Sequence, residues 1–208
     1  MRDGSEAIRL RPKAMQSRPV LMDRVFDDPE KALGIIRERA PYVNLFAFHN
    51  MLDTHAEHIG PRFRQVFEDD LFLHNPRWID AARSSFSAEV VQPFKCLLNI
   101  NGPMGVGGVH LDLPVYRGID AKNAPVWLLM SYSGLFQDWM VPIASGLAWF
   151  YRGIGGAFAY WPDGPAGPLC REESPLWNRG VMSDNEYMWH AVGATGSLEQ
   201  QERLRGKV

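Results

Sequence analysis

An imidazole and a carboxylate lie two residues apart at His110-Leu111-Asp112, inside a run, GVHLDLP, that predicts a β-strand over 108–114. Side chains at i and i+2 of a strand face the same side, so these two groups converge. A further histidine, His190, falls in EYMWHAV, a predicted strand over 186–192. Two imidazoles and one carboxylate on one face of a metal ion leave three positions open. This is the donor set with which non-haem Fe(II) oxygenases hold a co-substrate and dioxygen. The same residue types also make ordinary ion pairs and satisfied core imidazoles, and the tripeptide alone does not separate these readings.

Other groups carry weaker chemistry. His55-Ala56-Glu57-His58 puts two imidazoles at i and i+3 of a predicted helix, but no third ligand is near in sequence, which favours an exposed helix face. His49 and His74 read as structural. Cys96 and Cys170 share no metal-ligand spacing and are too few for a disulfide framework, so they read as core or incidental thiols. Trp127, Tyr132, Trp149, Phe150, Tyr151, Phe158, Tyr160, Trp161 and Trp189 supply core, with a few left to line a pocket. Trp161-Pro162-Asp163-Gly164-Pro165 reads as a turn at a strand end.

The elements that must position the triad divide the chain in two. Residues 1–27 read as a basic arm. Asp28 can cap a helix with Pro29 at its first position, running to about Arg39, before Pro41 stops it. A second helix is predicted over 44–58, with Leu45, Phe48 and Leu52 on one face. A third follows Asn75-Pro76, with Trp78, Ile79, Ala82 and Phe86 as its apolar stripe. After about residue 88 the segments become short and β-rich, with strands predicted at 89–100, 108–114, 125–132, 146–151, 156–161 and 186–192. Gly102–Gly108 reads as a flexible lip before the first two ligands. Asn178-Arg179-Gly180 and Ser183-Asp184-Asn185 read as turns before the strand of His190. The expectation is a single domain over 1–208, mainly β with N-terminal helices (α+β): a helical region 1–87 and a sandwich- or barrel-like β core 88–208.

In this order, H-L-D at 110–112, the hydrophobic strand at 125–132, G-G-A-F-A-Y-W-P at 155–162 and the distal His190 resemble the Fe(II)/2-oxoglutarate-dependent dioxygenase superfamily, with its phytanoyl-hydroxylase-like and prolyl-hydroxylase-like branches. The resemblance spans about 88–193. It implies a double-stranded β-helix core of the jelly-roll, cupin-like type, with His110, Asp112 and His190 binding Fe(II). It further implies 2-oxoglutarate as co-substrate and oxidation of a small molecule by O2, with release of succinate and CO2. Related halogenases carry a small residue in place of the carboxylate, so Asp112 implies hydroxylation, desaturation or another oxidation instead. The chain departs from the pattern after His190. The superfamily places a basic residue on a last core strand to hold the far carboxylate of 2-oxoglutarate, whereas SLEQQERLRGKV is helix- or loop-like. Arg203, with Arg205 beside it, is the candidate for that cofactor-binding role, although both lie late, on no predicted strand, and read equally well as solvated tail residues; Arg117 and Arg152 are alternatives that read more simply as structural ion-pair partners. The missing closing strand leaves two expectations, a C-terminal truncation or another basic residue in that role.

Composition narrows the partners. The 208 residues are 46% hydrophobic and 22% charged, with a formal net charge of −2, which is ordinary for one globular domain and lacks the basic excess of a nucleic-acid binder. No run approaches the roughly 20 apolar residues that span a bilayer, and the first residues mix charges without an apolar signal region, so a cytoplasmic location is expected. Two other functions fit the same residues. One is a cupin-like metalloenzyme that does not use 2-oxoglutarate; the other is a non-enzymatic β-sandwich binding protein in which the three ligands never meet.

Overall fold

A computed structural model describes residues 15–40, 62–66, 68–119 and 124–205. The helix predicted over 44–58, with His49, His55 and His58, lies outside the described residues.

Helix starts follow the local chemistry. Helix α1 (Pro29–Glu38) begins behind Asp28, whose carboxylate accepts the Lys31 N–H at 2.9 Å, and it buries Ala32 and Ile36. A one-turn helix α2 (Asp70–Leu73) is capped by Asp69. Helix α3 (Pro76–Ser85) is capped by Asn75, whose side-chain oxygen accepts the Arg77 N–H at 2.9 Å.

The chain is mainly β, with antiparallel sheets and a few helices. Strand β1 (Val20–Met22) pairs with β9 (Leu176–Ser183), and β9 pairs in turn with β6 (Ser145–Tyr151). A second sheet has the order β10 (Trp189–Val192), β7 (Phe158–Trp161), β8 (Cys170–Glu172). Two small ribbons complete the set: β2 (Arg62–Val66) with β3 (Leu97–Asn101), and β4 (Val115–Tyr116) with β5 (Met140–Val141).

The period-two alternation of β6 shows how the layers assemble. Leu147 and Trp149 pack against Phe158 and Tyr160 of β7 and Val181 of β9, so the two three-stranded sheets face each other. Ala148 and Phe150 point the other way, into a cluster with Val25, Phe26, Leu71, Phe72 and Trp78 beneath the helices. Phe158, Val181 and Met188 are at most 1% exposed, and each such burial stabilises the fold by roughly 1.5–3 kcal/mol. A third cluster, Tyr116, Trp127 and Met130, lies under α4 (Ala124–Ser133).

Several sequence expectations are corrected. Residues 125–132 form helix α4, not a strand. Trp127 and Met130 are buried, at i and i+3, while Val126, Leu129 and Tyr132 are exposed, which is helical spacing. A short run that is apolar on all sides has no periodicity to read, and Pro125 in the first turn with Leu and Met following suits a helix. The strand expected over 89–100 is confined to 97–101, and that over 108–114 contributes a bridge at His110 without becoming a continuous strand. Residues 178–180 are not a turn but the middle of β9. Asn178 there is left-handed (φ 56°), at an irregularity in the β6–β9 register, and its amide donates to the Phe26 carbonyl and accepts the Phe26 N–H, both at 2.8 Å. Asparagine tolerates that conformation, which makes it turn-like in sequence. The region before 88 is not purely helical either: β1 belongs to the core sheet, because β9 offers it a pairing edge that no local pattern announces.

Candidate metal centre

The three sequence-predicted ligands come together. His110 and His190 form an antiparallel backbone pair in which each N–H donates to the other's carbonyl at 3.0 Å. The segment around His110 is held along the outer edge of β10 by further bonds: Gly107 N–H to the Val192 carbonyl at 2.8 Å, and Met104 reciprocally with Thr195 at 3.0 and 2.9 Å. The predicted glycine lip is thus pinned at Gly107 to Val192 of β10 and at Met104 to Thr195 just beyond that strand. Directly opposed residues of an antiparallel pair share a face, so the two imidazoles meet with ring centroids 4.4 Å apart. His190 stands opposite Tyr160 in the β7–β10 register and packs on Phe158 at 5.8 Å, which aims it into the space between the sheets.

The backbone fixes both tautomers in the same way. His110 Nδ1 lies 2.8 Å from the Gly108 carbonyl oxygen, and His190 Nδ1 lies 2.9 Å from the Met188 carbonyl oxygen. A carbonyl can only accept, so each Nδ1 carries a hydrogen, and in the neutral imidazole Nε2 keeps the lone pair. Such an outer contact to the second ring nitrogen is the usual way a metal-binding imidazole is oriented.

Asp112 completes the group. Its N–H donates to the Asn185 carbonyl at 2.9 Å. One carboxylate oxygen, Oδ1, then lies 3.9 Å from His110 Nε2 and 3.7 Å from His190 Nε2. All three ligand atoms lie within 4.8 Å of one another, and the group could bind a metal ion. Neither Asp112–imidazole separation is a hydrogen bond. His110 Nε2, His190 Nε2 and the Asp112 carboxylate thus face one another, an arrangement that a cation can occupy. The donors fit a metal: two nitrogens and one oxygen, on one side, spaced slightly wider than the roughly 3 Å between neighbouring ligands that each sit about 2.1 Å from an ion. His110 and Asp112 side chains are 42% and 43% exposed and can close that gap, while His190, at 6%, is the fixed point.

A block of buried polar residues behind the ligands was not legible as such in the sequence. Ser183, Asp184, Asn185 and Glu186 are all at most 7% exposed. Burial, reinforced by Asp184 and by Asp112, pushes the Glu186 carboxyl up to about 8, although it accepts the Val115 N–H at 3.3 Å. Burial also raises Asp184, against the lowering effect of the Gln16 N–H. Four consecutive polar residues between apolar strands look like a solvated turn, and only their low exposure distinguishes them.

The basic candidates do not join the triad. Arg203 lies exposed on helix α5 (Leu198–Arg205) and, among the described residues, shares no ion pair or hydrogen bond with it. That helix opens with a capping box in which Ser197 and Gln200 exchange backbone-to-side-chain bonds of 2.8 and 3.2 Å. Arg152 pairs with Glu30 at 3.3 Å and lies 3.6 Å over the Trp177 ring, so it is structural as expected. The Arg117 N–H is bonded to the Trp139 carbonyl in the β4–β5 ribbon. His74 is a half-exposed neighbour of Asp70. Cys96 and Cys170 are free thiols, that of Cys96 raised to about 11 by burial and by Asp69. A cavity of about 450 Å³ lined by Asp69, His74, Phe94 and Cys96 contains none of the triad.

Among the described residues, no helix is long and apolar enough to cross a membrane. No protein-family model, no curated protein and no solved structure matches the chain.

Proposed function

We propose that the chain is a non-haem Fe(II)- and 2-oxoglutarate-dependent oxygenase that oxidises a small molecule in the cytoplasm, with the facing sheets as a double-stranded β-helix core. The observation that carries this reading is the meeting of His110 Nε2, His190 Nε2 and Asp112 Oδ1 with both tautomers fixed by backbone carbonyls. Bound there, Fe(II) with 2-oxoglutarate and O2 supplies the oxidising power for C–H hydroxylation, and the co-substrate leaves as succinate and CO2.

The chain's own residues have distinct tasks in this reading. His190, buried and packed on Phe158, sets the position of the centre. His110 and Asp112 stand on the exposed side and close onto the ion. Asp112 supplies a negative charge that a neutral ligand set would lack. Its presence also occupies the place a halide would need, which favours hydroxylation or a related oxidation. Arg203 is proposed as the anchor for the far carboxylate on the resemblance alone, and Arg203→Ala tests it through the affinity for 2-oxoglutarate.

The test is to add Fe(II) and 2-oxoglutarate to the anaerobic protein and record the visible metal-to-ligand charge-transfer band. A band lost in Asp112→Ala supports the proposal. Iron binding without a band favours a cupin-like metalloenzyme that does not use 2-oxoglutarate. No iron binding leaves a non-enzymatic β-sandwich binding protein, one whose three donors meet without taking iron.

A further inference from the structure

The chain leaves β9 at Ser183 and enters β10 at Trp189, so residues 184–188 carry it from one sheet to the other. This crossover holds two of the three ligands. The Asn185 carbonyl accepts the Asp112 N–H at 2.9 Å, and the Met188 carbonyl takes the His190 Nδ1 hydrogen at 2.9 Å. The crossover is tightly wound: the Asp184 carbonyl accepts both the Tyr187 N–H, at 3.0 Å, and the Met188 N–H, at 2.8 Å.

Its polar side chains are buried, and burial of polar groups is costly unless they are bonded. The Ser183 hydroxyl donates to Asn185 Oδ1 at 2.6 Å. The Asp184 carboxylate, in a residue 1% exposed, accepts the backbone N–H of Gln16 at 2.8 Å. Gln16 belongs to the amino-terminal arm, distant in sequence, and the arm is anchored on both sides of that contact. Met15 packs into the inter-sheet core, Arg18 pairs with Asp163 in the loop after β7 at 2.6 Å, and β1 pairs with β9. Between arm and crossover lies a cavity of about 20 Å³ lined by Gln16, Met140, Asp184, Glu186 and Tyr187, enough for a single bridging water.

We infer that Asp184, clamped by the Gln16 N–H, is a positioning residue for the metal centre: the arm holds the 184–188 crossover, and the crossover holds Asp112 and His190. The inference rests on the metal-centre reading but not on the identity of the substrate. Without the clamp, the buried Asp184 carboxylate loses a donor and must move toward water. The two carbonyls that orient the ligands then move with it. Outer contacts of this kind typically change metal affinity by about 10- to 100-fold.

The experiment titrates the full chain with Co(II) alone and follows both affinity and the ligand-field absorption of the bound ion, at a temperature where each variant is folded by circular dichroism. Gln16→Pro removes the one N–H while leaving Asp184 in place. Asp184→Ala removes the acceptor, and Asp184→Asn keeps an acceptor oxygen. The expected result is a Co(II) affinity about 10-fold or more weaker, with an altered band shape, in Gln16→Pro and Asp184→Ala, and near-native behaviour in Asp184→Asn. Should Asp184→Ala fail to fold, Gln16→Pro decides alone. Native affinity and band shape in Gln16→Pro, with binding abolished in His110→Ala, would overturn the inference and leave the metal centre standing. A wild-type chain that binds no Co(II) would overturn both.

Discussion

His110 and His190 are joined twice at the backbone, each N–H donating to the other's carbonyl at 3.0 Å, while their rings meet on one face, tilted by 53° with centroids 4.4 Å apart. The pairing makes the spacing of two ligands a property of the sheet and not of flexible side chains. It also leaves the two histidines in different surroundings, one half-exposed and one buried against Phe158.

That asymmetry separates binding from folding. His110→Ala and His190→Ala should both abolish Co(II) or Fe(II) binding. Only His190→Ala should also cost the apo fold, by about 1–3 kcal/mol, because it empties a buried, packed position; His110→Ala should stay within about 1 kcal/mol. Metal titration paired with urea denaturation of the apo protein checks both. Equal apo stabilities would contradict the burial of His190.

Asn178 should be hard to replace. It supplies a left-handed backbone position and satisfies both polar groups of Phe26. Asn178→Gly keeps the backbone conformation but leaves a buried N–H and C=O without that partner, an expected loss of about 2–4 kcal/mol. Asn178→Ala should lose more, since it adds left-handed strain. Equilibrium denaturation of the two variants gives the ordering.

Glu186 predicts a pH dependence. Its carboxyl sits at about 8 in the fold against an ordinary value of 4.5. Between those values the folded protein keeps a proton that the unfolded chain releases, so the contribution is fully present below the unfolded value and is lost as pH rises through the folded one. Stability from this group should therefore fall from weakly acidic to weakly alkaline pH, and Glu186→Gln should flatten that part of the profile. An unchanged slope in the variant would exclude Glu186 as its source.

The helix at 124–133 can be told from a strand by substitution. In a strand Trp127 and Leu129 would share a face and respond alike. In the helix Trp127 is 4% exposed and Leu129 71%. Trp127→Ala should thus cost about 3–5 kcal/mol, while Leu129→Ser should be nearly silent. Thermal melts of the two variants suffice.

What the sequence determined by itself was local. Asp28 and Asn75, each followed by proline, announce the starts of α1 and α3, because a cap is chemistry within one turn. His110 and Asp112 were expected to share a face because residues two apart on a strand do, and their side chains do meet, although the segment forms only a bridge at His110. The strands of Tyr160 and His190 were legible from composition. Which strand meets which was not. The tertiary structure alone set His110 against His190, drew β1 from the amino-terminal arm onto β9, and turned 125–132 into a helix. It alone buried Ser183–Glu186, a stretch that reads as a solvated turn. Pairing and burial depend on what lies across the fold, and residues distant in sequence carry no local pattern that records it.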